Sequence, residues 1–287
     1  MRIGLMDVDG HNFPNLALMK IANYHKQNGD TVEWINHLVQ YDKVYQSKVF
    51  TFTPDNRFTV QANEIIKGGT GYKMYNDLFC DNTEPDYSMY PQYPHAYGFL
   101  TRGCVRHCAW CIVSKKEGNI RPYRDIEMVL QGRKTAILMD NNVLASEHGL
   151  QQLEKIIDLG CKVDFNQGLD SRLVTDDIAK ILSKIKWIKY IRFACDTTSA
   201  VEPLLKAINK LNKYGVKNYR IFVYMLVKDV ADANERCKIL KHLGVNPFAQ
   251  TYRDYDNNIL PTAEQKRFSW YVNQKAVFKA TEWEDYR

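Results

Sequence analysis

Gly103-Cys104-Val105-Arg106-His107-Cys108-Ala109-Trp110-Cys111 is the stretch around which the chain is organised. Three of the seven cysteines fall within it, spaced C-x3-C-x2-C, directly after the aromatic run Tyr97-Gly98-Phe99-Leu100. Three thiolates this close can hold an iron–sulfur cluster at three irons and leave the fourth iron without a protein ligand. Two other readings compete. At i, i+4 and i+7 the cysteines could line a buried helical face, although Gly103, Arg106 and His107 suit such a face poorly. A structural zinc site needs four ligands. Here the fourth would be His107 or a distant cysteine such as Cys161, because the sequence has no second C-x2-C pair.

Downstream of the loop the pattern repeats. Helix, glycine, then apolar strand recurs at Gly160, Gly215 and Gly244, as expected of left-handed helix caps before buried parallel strands. Strands are expected at 97–101, 136–139, 163–165, 190–194, 220–226 and 247–252. Helices are expected at 125–131, around Leu150–Ile157, around Ile178–Ile185, around Leu204–Leu211 and at 229–243. A closed eight-stranded barrel takes about 250 residues and this stretch has about 160, so the spacing predicts an α/β, partial (β/α)6 TIM-like barrel over 96–255. Residues 256–287, with Trp270, Phe278 and Trp283, read as a C-terminal helical extension after a turn at 256–258.

Upstream, strand 2–6, a helix opening near Pro14 and closing at Gly29, and strand 31–35 form a β-α-β unit. Further strands are expected at 44–52 and 64–66. Residues 1–80 therefore read as a small open α/β, Rossmann-like domain. Residues 81–95, with three prolines and no apolar periodicity, read as a linker.

Composition narrows the function classes. With 45% apolar and 25% charged residues, the chain resembles an ordinary globular protein, and it has no apolar run of the roughly 18 residues a membrane span needs. Asp7 and Asp9 follow the short apolar start too soon for a signal peptide. Cys80, Cys161, Cys195 and Cys237 are scattered, which is no disulfide framework; a cytoplasmic, reducing location is expected, with no membrane partner. The net charge of +6 permits contact with nucleic acid, although the basic residues are spread along the chain.

The cysteine loop, with Trp110 before its last cysteine and its position after the first strand of a six-unit barrel, resembles the signature of the radical SAM superfamily. The flanks add to this: Thr101-Arg102-Gly103-Cys104 before it, and Gly118-x2-Arg121-x2-Arg124 with Ile126-Glu127-x-Val129 after it. They are most similar to members carrying an N-terminal cobalamin-binding-type domain. The resemblance implies a [4Fe–4S] cluster on Cys104, Cys108 and Cys111, and S-adenosylmethionine chelated at the open iron. Reductive cleavage then gives a 5′-deoxyadenosyl radical that abstracts hydrogen from a substrate. It also implies an electron donor such as flavodoxin or ferredoxin.

Cofactor contacts are expected from Trp110 and from the strand ends. Asp140 and Asn141 end the second strand, where the family holds the methionine amino group; the Gly-Gly-Glu triplet often found there is absent. Gln167 ends the third, with Arg172 after it suited to the cofactor carboxylate. Asp196 ends the fourth, near the ribose. Arg192, Tyr224, Gln250, Tyr252 and Arg253 are the expected substrate-facing residues. In the N-terminal domain, Asp9-Gly10-His11-Asn12-Phe13-Pro14 has two readings. One is the Asp-x-His-x-x-Gly segment of a cobalamin site, with Pro14 in the glycine position. The other is an Asp-Gly turn before a helix. Gly68-Gly69-Thr70-Gly71 could likewise cradle a nucleotide tail. The function expected is a radical SAM enzyme on an unidentified substrate, with RNA or nucleotide modification favoured by the charge. The alternative is a zinc- or cluster-stabilised binding or electron-transfer protein without catalysis.

Overall fold

Apolar strands and one capped helix build the first unit, Met1–Pro94. The structure is a computed structural model describing every residue except Asn12, Tyr255, Asp256, Asn258 and Arg287. Strands β1 (Arg2–Asp7), β2 (Thr31–Trp34), β3 (Tyr41–Ser47) and β4 (Ala62–Gly68) form a parallel sheet in the order β2-β1-β3-β4. Helix α1 (Leu16–Gln27) sets Leu18, Ile21 and Ala22 against Ile3 and Leu5 of the central strand, both fully buried. The β-α-β opening expected from the pattern is present.

Three details differ from expectation. Pro14 does not start the helix; Asn15 caps it, its side chain accepting from the Leu18 amide. Strand β3 runs 41–47 rather than 44–52, because the Val49 and Phe50 amides turn away to the buried Asp9 carboxylate at 2.8 and 2.7 Å. Of the stretch read as a linker, 81–95, residues 81–94 fold into this unit. Lys20 donates to Asp81 at 2.8 Å, Asn23 to the Glu84 carbonyl and Lys26 to Asp86, while Tyr87 and Tyr90 are buried. Its missing periodicity reflects anchoring by scattered polar and aromatic side chains rather than by an apolar stripe.

The second unit, His95–Arg287, alternates strand and helix. In chain order it comprises β5 (Ala96–Gly98), β6 (Thr101–Arg102), α2 (Val113–Lys116), β7 (Arg121–Pro122), α3 (Ile126–Leu130), β8 (Thr135–Leu138), α4 (Glu147–Leu159) and β9 (Lys162–Phe165). It continues with α5 (Asp176–Lys184), β10 (Lys186–Trp187), β11 (Ile191–Ala194), α6 (Val201–Lys213), β12 (Ile221–Val227), α7 (Val230–His242) and β13 (Asn246–Thr251). Helices α8 (Ala263–Asn273) and α9 (Lys275–Ala280) follow. One parallel sheet runs β10-β9-β8-β5 and another β11-β12-β13, with a parallel bridge from Leu169 to Phe193. The five expected helices are all present. Strand β10 was not foreseen, being only two residues long.

The expected strand 97–101 is split into β5 and β6, since Asp140 takes the Leu100 and Thr101 amides. After β13, the Asn273 side chain donates to the Ala249 carbonyl and accepts from its amide, each at 2.9 Å. That pairing fastens α8 to the sheet. Of the expected turn at 256–258, residues 256 and 258 lie outside the described residues. No helix among the described residues is long and apolar enough to cross a membrane.

Candidate functional site

The cysteine loop is an excursion between two short antiparallel strands, β6 and β7, paired Thr101 to Pro122 and Arg102 to Arg121. Its neck is closed three ways. The Cys104 amide donates to the Gly118 carbonyl at 3.2 Å. Glu117 accepts from the Gly103 amide and from Arg102 Nε, both at 3.0 Å, and from Asn141 Nδ2 at 2.9 Å. Gly103 has φ +79°, and a side chain there would collide with the Asn119 carbonyl, so only glycine suits this point. Arg102 lies over the Phe99 ring at 4.1 Å while pairing with Glu117, which gives the guanidinium both a cation–π and an ionic partner.

Within the loop, Cys104 is buried, Cys108 half-buried and Cys111 exposed as a residue. Cys104 Sγ accepts from the Arg106 amide at 3.3 Å and from Asn142 Nδ2 at 3.5 Å. Burial raises the Cys108 thiol pKa; the Arg172 charge opposes this, and Cys104, Asp196 and Asp170 reinforce it. Burial of its sulfur also raises the Cys111 thiol; a hydrogen bond with the Val113 backbone opposes this, and Cys108, Cys104 and Asp196 add to it. Three thiols, one cation and two carboxylates thus share one electrostatic neighbourhood. Among the described residues, no three His, Cys, Asp or Glu side chains stand together closely enough to hold a metal ion.

The expected cofactor residues fare differently. Asp140 is 1% exposed, and its carboxylate is taken up by the Leu100 and Thr101 amides and by Thr101 Oγ1 at 2.7 Å. Burial nonetheless raises its pKa to about 6. It clamps the β5–β6 corner instead of offering a free oxygen. Asn141 is directed to Glu117. Gln167 is exposed and contacts Asn166 at 3.3 Å. Arg172 pairs with Asp170, Nε to Oδ1 at 2.6 Å. Asp196 accepts from the Leu226 amide at 3.0 Å, and its pKa is raised, first by burial. Trp110 is 39% exposed.

Sequence reasoning missed three residues here. Glu117 organises the neck. Asp170, its side chain 6% exposed, accepts from Arg106 and Arg172. Burial alone would raise the Asp170 pKa, but the bonds from Arg172 and Arg106 outweigh it and hold the carboxyl below its ordinary range. Asn142, 2% exposed, donates to Cys104 and has a buried Oδ1 with no partner among the described residues. An unpartnered buried carbonyl oxygen is a destabilising feature unless something else donates to it. The available signals were slight: an Asp-Asn-Asn run at a strand end, and an Asp two residues before Arg172.

Among the expected substrate residues, Arg192 and Tyr224 come together. Arg192 pairs in bidentate fashion with Asp164, both contacts at 2.6 Å, lies 4.9 Å from the Phe222 ring, and donates to Tyr224 at 3.4 Å. Phe222 stacks on Phe248 at 5.8 Å and on Tyr190 at 5.4 Å. Strand alternation puts Gln250 on the same face as Phe248, and it is exposed. Beyond β13, Tyr252 has Lys228 5.4 Å from its ring, and Arg253 is half-buried.

In chemical type, though not in the spacing of the side chains as they stand, the donor set suits a thiolate-bound cluster. It offers three thiols from one closed loop, N–H donors to the Cys104 sulfur, nearby guanidinium charge and one acceptor without a partner among the described residues. Compared with known proteins, the chain matches no family model and no curated protein.

Proposed function

We propose that this chain is a radical SAM enzyme, with Cys104, Cys108 and Cys111 as the ligands of a [4Fe–4S] cluster. The observation that carries the reading is Asn142. Its amide donates to Cys104 Sγ while its own oxygen is buried and unpartnered, as expected of a wall whose remaining donor arrives with a ligand. When bound, the cluster and S-adenosylmethionine supply the electron transfer and the 5′-deoxyadenosyl radical.

The chain's own residues then have separable tasks. Asn142 offers its oxygen to an ammonium, a role that the occupied Asp140 carboxylate is poorly placed to take. Arg172 presents its outer edge to a carboxylate while Asp170 holds it. Asp196 offers its second oxygen to hydroxyls. Asp140 and Glu117 keep the loop in place. We read the two parallel sheets of the second unit as parts of one curved (β/α)6 surface, the Leu169–Phe193 bridge being their seam.

Arg192, Tyr224, Phe222 and Phe248 then form the substrate wall. The stacked aromatics, with Lys189 and Lys275 over Tyr190 at 5.2 and 5.4 Å, favour a nucleotide or RNA base as substrate. Seven free thiols suit a reducing compartment, where flavodoxin or ferredoxin would be the electron source. We do not extend the reading to cobalamin, because Asp9 is committed to the Val49 and Phe50 amides and Pro14 occupies the glycine position.

The test is anaerobic purification with iron, sulfide and zinc analysis, followed by reduction with S-adenosylmethionine present. Iron with sulfide, and release of 5′-deoxyadenosine, are expected. Zinc without iron would leave the non-catalytic binding reading, and a cluster that releases no 5′-deoxyadenosine or methionine would leave the electron-transfer one.

A further inference from the structure

Asp170 does more than the turn it starts requires. It precedes the single 3-10 turn Ser171–Leu173, and one oxygen suffices to cap it: Oδ1 accepts from the Arg172 amide at 3.2 Å. The other oxygen has partners beyond that turn as well as in it. Oδ2 accepts from Arg106 Nε at 2.9 Å, from Arg172 Nη2 at 3.1 Å and from Asn142 Nδ2 at 3.4 Å. Arg106 lies between the first two cysteines of the loop, and Asn142 follows β8. One buried carboxylate therefore joins the cysteine loop, the end of β8 and the end of β9.

The contact with Asn142 has a chemical consequence. A carboxylate cannot donate, so the Asn142 group facing Asp170 must be the amino group. That amino group carries two protons, and the same nitrogen also faces Cys104 Sγ at 3.5 Å. Asp170 thereby fixes which end of the amide meets the sulfur. A donor suits a metal-bound thiolate, and with the amide held this way round its oxygen is the group left over, which is the orphaned atom observed. The same carboxylate holds the Arg106 side chain, whose backbone amide is the second donor to Cys104.

We propose that Asp170 is a positioning residue for the cysteine loop. It orients Asn142 and Arg106 so that both donate to Cys104 Sγ, before any ligand is present. The part concerning a bound cluster rests on the radical SAM reading; the part concerning loop order does not.

The experiment has two arms. In the iron-free protein, amide hydrogen exchange is compared between the parent and Asp170→Asn, which keeps one acceptor oxygen for the turn. Exchange over 104–111 is expected to quicken roughly tenfold, as for loss of a hydrogen bond to a charged group, and Asp170→Glu is expected to restore part of the protection. Faster exchange confined to 171–173 would make Asp170 a turn cap and overturn the proposal. If Asp170→Asn does not fold, Arg106→Met, which removes only the half-exposed guanidinium reaching Oδ2, is read in the same way.

In protein loaded with iron and sulfide, Asn142→Leu and, to a smaller extent, the charge-conserving Asp170→Glu are expected to lower the midpoint potential. Losing donors to sulfur by a factor of roughly ten in the reduction equilibrium corresponds to about 59 mV for one electron. An unchanged potential in both variants would overturn the sulfur-orienting role. Failure to take up iron at all would sink the radical SAM reading while leaving the exchange arm decisive.

Discussion

Two regions of this molecule bring polar residues to the carboxyl ends of parallel strands, and they use them in opposite ways. In the first unit the sheet order β2-β1-β3-β4 puts a topological switch between β1 and β3, where open α/β sheets commonly bind ligands. There Asp9 accepts from the Val49 and Phe50 amides, Asp7 from Asn15 and Tyr90, and Ser47 from Asn15. The contacts close on the chain itself. In the second unit the ends of β5, β8 and β9 also fasten loops, through Asp140, Glu117 and Asp170, but the network ends at the Cys104 thiol and at an Asn142 oxygen with no partner among the described residues. A strand-end carboxylate is therefore informative only once its hydrogen bonds are counted: a spent set stabilises the fold, and an unspent one invites a ligand.

The sharpest way to break this contrast is Cys108→Ala. It is expected to abolish iron retention and 5′-deoxyadenosine release, measured by metal analysis and chromatography, while leaving the thermal unfolding of the iron-free chain nearly unchanged. Retained turnover would remove the cysteine loop from the chemistry. Next in size is Gly103→Ala. The left-handed backbone and the collision with Asn119 predict a loss of about 2 kcal/mol or more, read by urea unfolding, together with fewer irons per chain.

Thr101→Val, an isosteric change at a fully buried site, removes one of the donors to Asp140 and is expected to destabilise by about 1–3 kcal/mol at pH 8. The effect should shrink toward pH 5. Burial raises the folded Asp140 pKa to about 6, above the ordinary 3.8. Its contribution to stability is therefore present at low pH and lost as pH rises from about 4 through 6, and it is the ionised form that needs the Thr101 hydroxyl. A penalty that does not vary with pH would show that Asp140 does not change its protonation state in this range.

The smallest expected effect lies on the closed side of the comparison. Tyr90→Phe removes the hydroxyl bonded to Asp7 and should destabilise by about 0.5–1.5 kcal/mol with no change in iron content. A loss of iron in that variant would mean that the two regions are not independent.

Much of the architecture was legible because it is written locally. Gly160, with φ +62°, ends α4 where the pattern placed the stop, and the apolar stripes of α5 and α6 face inward as their spacing requires. What failed to show depends on partners distant in sequence. Val49, Phe50 and Phe52 look like strand residues but are exposed, because Asp9 draws their backbone out of the sheet. Residues 81–95 look like a linker because the anchors of 81–86, Lys20, Asn23 and Lys26, sit on α1.

The site divides the same way. The C-x3-C-x2-C spacing that marks the loop is visible in the sequence alone. Asp140 looked like a ligand contact because it ends a strand, and its actual partners, Leu100 and Thr101, become apparent only when β5 and β8 pair. Glu117, Asn142 and Asp170 have no local signature, since each acts across a gap between loops.

The two-stranded neck beneath the cysteines has a consequence for how this chain can change. Joining the ends of a flexible segment has an entropic cost that grows only logarithmically, about 0.6 kcal/mol for each doubling of its length. With β6, β7 and Glu117 holding the ends together, residues between Cys111 and Glu117 can be lengthened or exchanged with little effect on the sheets. The segment is in that sense a cassette. A longer version could reshape access to the thiols while the strands that carry it stay as they are.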